Sequence, residues 1–585
     1  MRPDSLLTRR DALFALAVGV VAIVAYAPAL RLGFAADDFL ILARVQDLGG
    51  LHHPVSYFQV SFYEYYRPLV FLSQALDWQL WGLHAAGFHH TNIVLHAVNA
   101  FLVFLLVRTL ADRPTSTVAA LIFALHPANQ EAVFWVAGRF DLLSTTFMLA
   151  ALWCFWRDRA WGYWLGVLGF ALALFSKESA VALLLIVVAH DAIIRRRDWI
   201  ATAARLAPLL AVTAVYMLLR SHAAELSPIG GVHRLGKAAM LVSALAFVLW
   251  MARRWESAAA FRGPARPRVA TTLMWMAVTG GLLTIALLVP ATRPGTGPTV
   301  GFVTYAWYLL SPLGLLPTPF FLDPNRLAYV VAGVLGVVAS AGIALQSASW
   351  IIKRPAMMLA VVLIVAALLP VSAMPGRTHL YLSTVGVSLL AALLLRSLSS
   401  RMAATALAGV IVLASGVNLF VAARQWQQAS DRTREAVALV SADPQPCATR
   451  DIVFLTAPAG IDDVPCNINN EAFLLYGGCA PRSFQTLLRV LRRDATVVAT
   501  RTSENVIDLR VPNYRGNIMA SRDLRNFLVQ VRKDARTVTL DTPLGQLQAW
   551  PEGATQVFQL VLNAAATHNA FYYYSQGRMR LVPPR

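Results

Sequence analysis

Long apolar runs, with short basic clusters gathered between them, follow one another from residue 12 to residue 422. A hydrocarbon core of about 30 Å needs roughly 20 apolar residues in helical form. The pattern predicts spans near 12–30, 91–108, 115–127, 141–156, 161–175, 179–194, 200–219, 238–252, 270–290, 328–348, 355–372, 380–396 and 403–422. Basic residues mark the cytoplasmic side of such a chain. The N-terminal group, Arg108/Arg113, Arg157/Arg159, Arg195–Arg197, Arg253/Arg254, Lys353/Arg354 and Arg396/Arg401 all fall on one side if the proline-broken stretch 299–325 dips in and returns. The expected topology is about 13 spans, N-terminus inside and C-terminus outside.

The pattern changes at about residue 424. "QWQQASDRTREAVALV" has the periodicity of an amphipathic helix, and "TVVAT", "VIDLRV" and "RTVTLDTPLGQLQAW" read as strands, the last folded at "TPLG". The expected organisation is a membrane domain over 1–423, with an outer loop at 31–90, and an extracytoplasmic α+β domain over 424–585. Cys447, Cys466 and Cys479 lie in this second part. An oxidising compartment would allow one disulfide among them in any of three pairings.

Composition agrees with a polytopic membrane protein. Of 585 residues, 57% are hydrophobic and 14% charged, with a mean hydropathy of +0.57; soluble domains carry about 25% charged residues. The net charge of +19 would suit a nucleic-acid binder. Its segregation into short clusters between apolar runs instead fits cytoplasmic loops. The first apolar run is longer than a signal-peptide core, and "AYAPA" is a loose cleavage match, so an uncleaved first span is expected.

Four stretches carry candidate chemistry. "FAADDFLIL" places Asp37 and Asp38 just beyond the first run. Then come "YYRPLVFLSQALDWQLWGLHAAGFHHTNIVLHAVN" and "LHPANQEAVFWVAGRFDLLS", followed by "FSKES" and, much later, "RTHLYLSTVG". Together these resemble the membrane half of the transmembrane and tetratricopeptide-repeat O-mannosyltransferases. More broadly they resemble the GT-C glycosyltransferases that use lipid-phosphate sugars. The resemblance covers roughly 30–200 well and 370–390 thinly, while the C-terminal part lacks the repeats.

The resemblance implies a GT-C-like membrane fold and an inverting transfer from a polyprenyl-phosphate sugar to a hydroxyl of a protein, glycan or lipid at the outer face. The Ala- and Arg-rich composition points to a bacterial inner membrane as the setting, with the site facing the periplasm. A sugar on a polyprenyl phosphate leaves as a stable phosphate anion, so one carboxylate base suffices where ordinary glycoside hydrolysis needs two. Asp37 is the expected base and Asp38 an orienting or acceptor-binding partner, though either of the pair can hold the proton. Arg67, Arg139, Lys177 and Arg377 are the expected phosphate cations, with Tyr381 as a hydrogen-bond donor.

Each has a plainer alternative. Lys177 can pair with the adjacent Glu178, Arg377 can anchor at the interface, and Tyr381 can belong to an aromatic belt. Glu131, Asp141 and His126 are candidates for orienting the acceptor, although Asp141 can equally cap the helix after it. His89 and His96 lie on one helix face, but no metal-ligand spacing accompanies them. No metal or other cofactor is therefore expected, although the resemblance leaves a divalent metal open, since some relatives within the wider fold use one. No nucleotide-binding loop is present, in keeping with a donor carried on lipid. A lipid-linked sugar flippase and a non-catalytic scaffold are the competing readings; the first should show internal repeats and intramembrane charge.

Overall fold

The computed structural model describes residues 8–61, 65–157, 159–223, 354–371 and 377–442. In the C-terminal part it describes 451–458, 460–461, 464–465, 472–473, 476, 483–490, 496–512, 516–518, 538–542, 544–567, 569–576 and 578–582. The expected spans at 238–252, 270–290 and 328–348, the re-entrant stretch 299–325 and the three C-terminal cysteines lie outside the described residues. The chain forms two compact units, residues 1–30 with 48–422, and residues 31–47 with 423–585.

The first unit is helical. Helix α1 (Arg9–Tyr26) begins at Thr8, whose hydroxyl accepts the Asp11 amide while the Asp11 carboxylate accepts the Thr8 amide. Two otherwise unpaired helix-end donors are satisfied in this way. Asp11 also binds Arg108 at 3.0 Å and Arg113 at 2.8 Å. These arginines end α5 (Ala85–Arg108) and open α6 (Arg113–Leu125), so one buried carboxylate ties three helix ends together on the side marked by basic residues.

Between α6 and α8 (Arg139–Trp156) the chain breaks twice. It passes through a turn at Pro127–Asn129, α7 (Gln130–Phe134) and a second turn at Val136–Gly138. The two limbs of this broken segment meet at 108°. α8 packs on α9 (Ala160–Ser176) through small residues: a Cβ on Gly169 would lie 3.1 Å from Ala151 Cβ. Small residues are how membrane helices approach closely where lipid supplies no hydrophobic drive. Further along come α10 (Ala182–His190), α11 (Trp199–His222), α12 (Pro355–Leu368) and α13 (Ser383–Arg396). α14 (Arg401–Ser441) contains the boundary between the units.

Among the described residues four helices are long and apolar enough to cross a membrane: 9–31, 85–108, 200–222 and 401–441. The broken segment makes a fifth if counted as one span, and 113–125, 160–176, 355–368 and 383–396 are shorter apolar helices. The expected 13 spans are therefore not all present as full-length helices among these residues. Apolar composition marks what is buried, but turns such as that at 127–129 and proline shorten the helices within it.

The second unit has two sheets over one core. Strands β1 (Asp451–Pro458), β4 (Ser483–Val490), β7 (Gly516–Ile518), β11 (Ala570–Ser575) and β12 (Arg578–Leu581) stand in the order β12-β11-β1-β4-β7, with β1 parallel to both neighbours. β5 (Val498–Ser503), β6 (Val506–Pro512), β8 (Val538–Thr542), β9 (Gly545–Glu552) and β10 (Thr555–Leu562) form an antiparallel sheet. A two-stranded ladder joins β2 (Gly460–Ile461) to β3 (Val464–Pro465). Val453, Leu455 and Leu488 from one large sheet meet Leu509, Leu547, Phe558 and Leu560 from the other. β8 and β9 turn at "TPLG", with Thr542 opposite Gly545, as the sequence pattern predicts. Segment 31–47, with α2 (Asp38–Asp47), belongs to this unit although it lies 376 residues upstream of Ala423.

Candidate functional site

In the first unit, Arg67 ends the connection into α4 (Pro68–Trp81), whose first position is a proline that needs no amide partner. The Arg67 side chain is buried, and its guanidinium makes two bonds to Glu178, Nε to Oε2 at 3.0 Å and Nη2 to Oε1 at 2.7 Å. It also lies over the rings of Tyr65, at 4.1 Å, and Phe140, at 4.7 Å. Flat, forked and weakly hydrated, Arg suits such a place where Lys does not.

Lys177, next to Glu178 and just past α9, donates to Asp141 Oδ1 at 2.6 Å. Asp141 lies in the first turn of α8. The "SKE" and "RFD" stretches and the arginine before "PL" therefore supply two adjoining ion pairs. Burial alone would raise the Glu178 carboxyl, but Arg67 overrides it and holds the group below the usual carboxylate range. Burial pushes Lys177 down, opposed by the charge of Asp141.

Arg220, in the last turn of α11, adds its charge to the field at Glu178. No motif marks it, because it lies in an otherwise ordinary basic helix end.

Arg139 has another set of partners. It is fully buried, with Nε donating to Asn92 Oδ1 at 2.8 Å, Nη2 to Phe88 O at 2.8 Å and Nη1 to Ser73 O at 3.3 Å, and it pairs with Asp77. Asn92 in turn donates to Trp135 O at 2.9 Å. The arginine of "VAGRFD" thus locks α4, α5 and α8 to the broken segment.

Tyr381 is likewise bound within the bundle. His96 Nε2 faces Ala124 O at 2.9 Å, a group that only accepts, so Nδ1 is the acceptor for the Tyr381 hydroxyl at 2.6 Å. Asn99 donates to the same hydroxyl at 3.1 Å. His126 accepts the Ala128 amide through Nδ1 at 3.1 Å and so caps the turn at 127–129. Glu131 is buried in the first turn of α7. The turn Arg377–Leu380 packs on 127–129 and α7, while the side chain of Arg377 itself lies outside the described residues. Among the described residues no group of three His, Cys, Asp or Glu side chains is arranged to hold a metal ion.

The acidic pair lies in the second unit. From Leu32 to Phe39 every residue is buried except Asp37. Ala36 has a φ of +50°, a left-handed conformation that costs a residue with a Cβ some strain. The turn it makes lets Asp38 Oδ2 accept the Ala35 amide at 2.9 Å, while the Asp37 carbonyl accepts the first helical bond of α2, from Ile41 at 3.0 Å. The two carboxylates thus differ. Asp38 is turned inward to hold its own loop, and Asp37 is presented to solvent. Residues 31–38 contain no run long enough to forecast that difference.

Residues 67–222 match the family model described as dolichyl-phosphate-mannose-protein mannosyltransferase. The chain is 34% identical over 181 residues to protein O-mannosyl-transferase Tmtc1 of Drosophila melanogaster, covering 28% of this chain and 21% of that one. It is 35% identical over 144 residues to mouse TMTC3, covering 23% and 16%, and 37% over 160 residues to human TMTC4, covering 23% and 22%. The chain spans about a fifth of the length of these relatives. The matched segment holds both ion pairs, and in it the chain resembles the GT-C-type glycosyltransferases of the protein O-mannosyltransferase kind.

Proposed function

We propose that this chain is an inverting membrane glycosyltransferase of the mannosyltransferase kind. It moves a sugar from a polyprenyl-phosphate donor to an acceptor hydroxyl, protein being the first acceptor to test, on the outer face of a bacterial inner membrane. The observation that carries the reading is the pair of ion pairs Arg67–Glu178 and Lys177–Asp141, built within the segment that matches the mannosyltransferase family. Buried ionised groups in a membrane protein are costly, and they mark function more often than scaffold.

In this reading Asp37 takes the proton of the acceptor hydroxyl as its oxygen attacks the anomeric carbon, and the polyprenyl phosphate departs as an anion. Direct displacement inverts the anomeric centre. Arg67 and Lys177 are the candidates for the donor phosphate, with Arg377 a third. Glu131 and His126 shape the acceptor side. Arg139 and Tyr381, bonded to Asn92, Phe88, His96 and Asn99, are assigned to holding the helices.

The test is transfer from a radiolabelled polyprenyl-phosphate mannose to a pool of hydroxyl acceptors by the purified full chain in lipid nanodiscs. Label incorporated with inverted configuration and lost with Asp37→Asn is the expected result. Movement of the intact labelled lipid between leaflets with no transfer would overturn the reading in favour of a flippase.

A further inference from the structure

The loop that carries the acidic pair is held by side chains of its own unit that lie about four hundred residues further along the chain. Gly33 donates its amide to Ser430 Oγ at 2.8 Å, and Phe34 donates its amide to the Tyr476 hydroxyl at 2.7 Å. The same hydroxyl lies 3.3 Å from the Phe34 carbonyl and donates to it. One phenol therefore grips both backbone groups of a single residue. The Phe34 ring stacks on Tyr476, with centroids 6.3 Å apart, and the Phe39 ring meets it edge-on at 5.3 Å. Arg434, one helical turn beyond Ser430 on α14, covers the ring at 5.6 Å.

The fit leaves no slack. A Cβ on Gly33 would lie 2.5 Å from Ser430 Oγ, 2.6 Å from the Tyr476 hydroxyl and 2.7 Å from Arg434 Nη2. Burial raises the Tyr476 phenol above its ordinary value, so it stays protonated and able to donate as well as accept. Past the clamp the chain makes its left-handed turn at Ala36, Asp38 ties back to Ala35, and Asp37 is the one exposed residue between Leu32 and Phe39.

We propose that Tyr476 and Ser430, backed by Arg434, are positioning residues that fix the backbone carrying Asp37 and thereby set the rate of proton transfer to it. The inference rests on Asp37 being the base. Its physical reason is that a base acts only within hydrogen-bond reach of the proton it takes, and misplacement by about 1 Å can cost on the order of a hundredfold in rate. The clamp gives residues beyond 423 a role in the chemistry through the backbone of Asp37 rather than by contact with the reactants.

The experiment uses the full chain in nanodiscs with polyprenyl-phosphate mannose as donor. Tyr476→Phe keeps the ring stack and removes the grip, and Gly33→Ala forces the loop away from its three neighbours. Either is expected to lower kcat by about tenfold or more, with the donor KM unchanged within about twofold. Hydrogen–deuterium exchange at the Gly33 and Phe34 amides should quicken by about tenfold in the same samples. Ser430→Thr, which keeps the hydroxyl, should retain the rate that Ser430→Ala loses.

Faster exchange with kcat unchanged would overturn the inference, as would unchanged exchange in Tyr476→Phe or a loss confined to KM. An inactive Asp37→Asn beside a fully active Tyr476→Phe removes the clamp and leaves the base. A fully active Asp37→Asn removes the base itself, and this inference with it.

Discussion

The ion pairs of the first unit and the acidic turn of the second handle charge in opposite ways. Around Arg67 four charges form two pairs: Arg67 holds Glu178, and Lys177 holds Asp141. At the turn, one carboxylate is spent on its own backbone and the other is exposed. A buried charge must be neutralised to be tolerated, and its partner then holds it in one place. A base must be reachable and able to exchange its proton, which exposure allows. On the proposed roles, phosphate binding and proton transfer ask for different surroundings, and the two regions differ in that sense.

The largest expected effect tests the exposed side of that comparison. Asp37→Asn should lower transfer on the order of 10²–10⁴-fold, the usual worth of a general base, without lowering the unfolding midpoint. Asp38→Asn should lower the midpoint and leave a larger share of the rate. A reversal of the two phenotypes would exchange their roles.

Next in size is the paired side. Lys177→Met leaves Asp141 buried without a partner and should destabilise the protein by about 3–5 kcal/mol in thermal or denaturant unfolding. Adding Asp141→Leu should recover most of that loss, because removing both charges also removes the desolvation cost. If the double variant is no more stable than the single one, the pair is not a closed unit.

Acid should separate the regions further. The Glu178 carboxyl lies below its ordinary value of 4.5 in the folded protein. Its contribution to stability is therefore complete above about pH 4.5 and is lost as the pH falls from there towards the folded value. Unfolding midpoints measured between pH 7 and pH 3 should fall for the native chain and fall less steeply for Glu178→Gln. Equal slopes would mean that Arg67 does not lower this carboxyl.

The smallest effect is expected inside the bundle. Tyr381→Phe removes the hydroxyl shared by His96 and Asn99 and should cost about 1–3 kcal/mol of stability, with the donor KM unchanged. A raised donor KM would return Tyr381 to the phosphate.

Much of the helical unit could be read from hydropathy and the spacing of arginines. The capping box at Thr8 and Asp11 and the proline that opens α4 are also local signals. The strands β5, β6, β8 and β9 followed from alternation and from the turn at "TPLG". The parallel pairing of β1 with β4 and β11 could not be read, because β1 and β11 lie over a hundred residues apart and a buried strand shows no alternation. At the site, motif membership singled out Arg67, Lys177 and Asp141, which the fold does bring into paired contact. It singled out Arg139 equally, yet that side chain ties helices together, and nothing in "VAGRFD" distinguishes a phosphate cation from a strut.

By itself the sequence determined that this is a membrane chain with a differently composed C-terminal part, and which charged residues were worth watching. Those are properties of composition and of short-range period, which any window of about twenty residues carries. Tertiary structure decided which charges meet: Arg67 with Glu178 across 111 residues, Phe34 with Tyr476 across 442. It also decided that of two adjacent carboxylates one faces inward and the other solvent. That choice depends on a left-handed turn and on partners far along the chain, and a hydrogen bond is set by distance and direction in space rather than by separation in sequence.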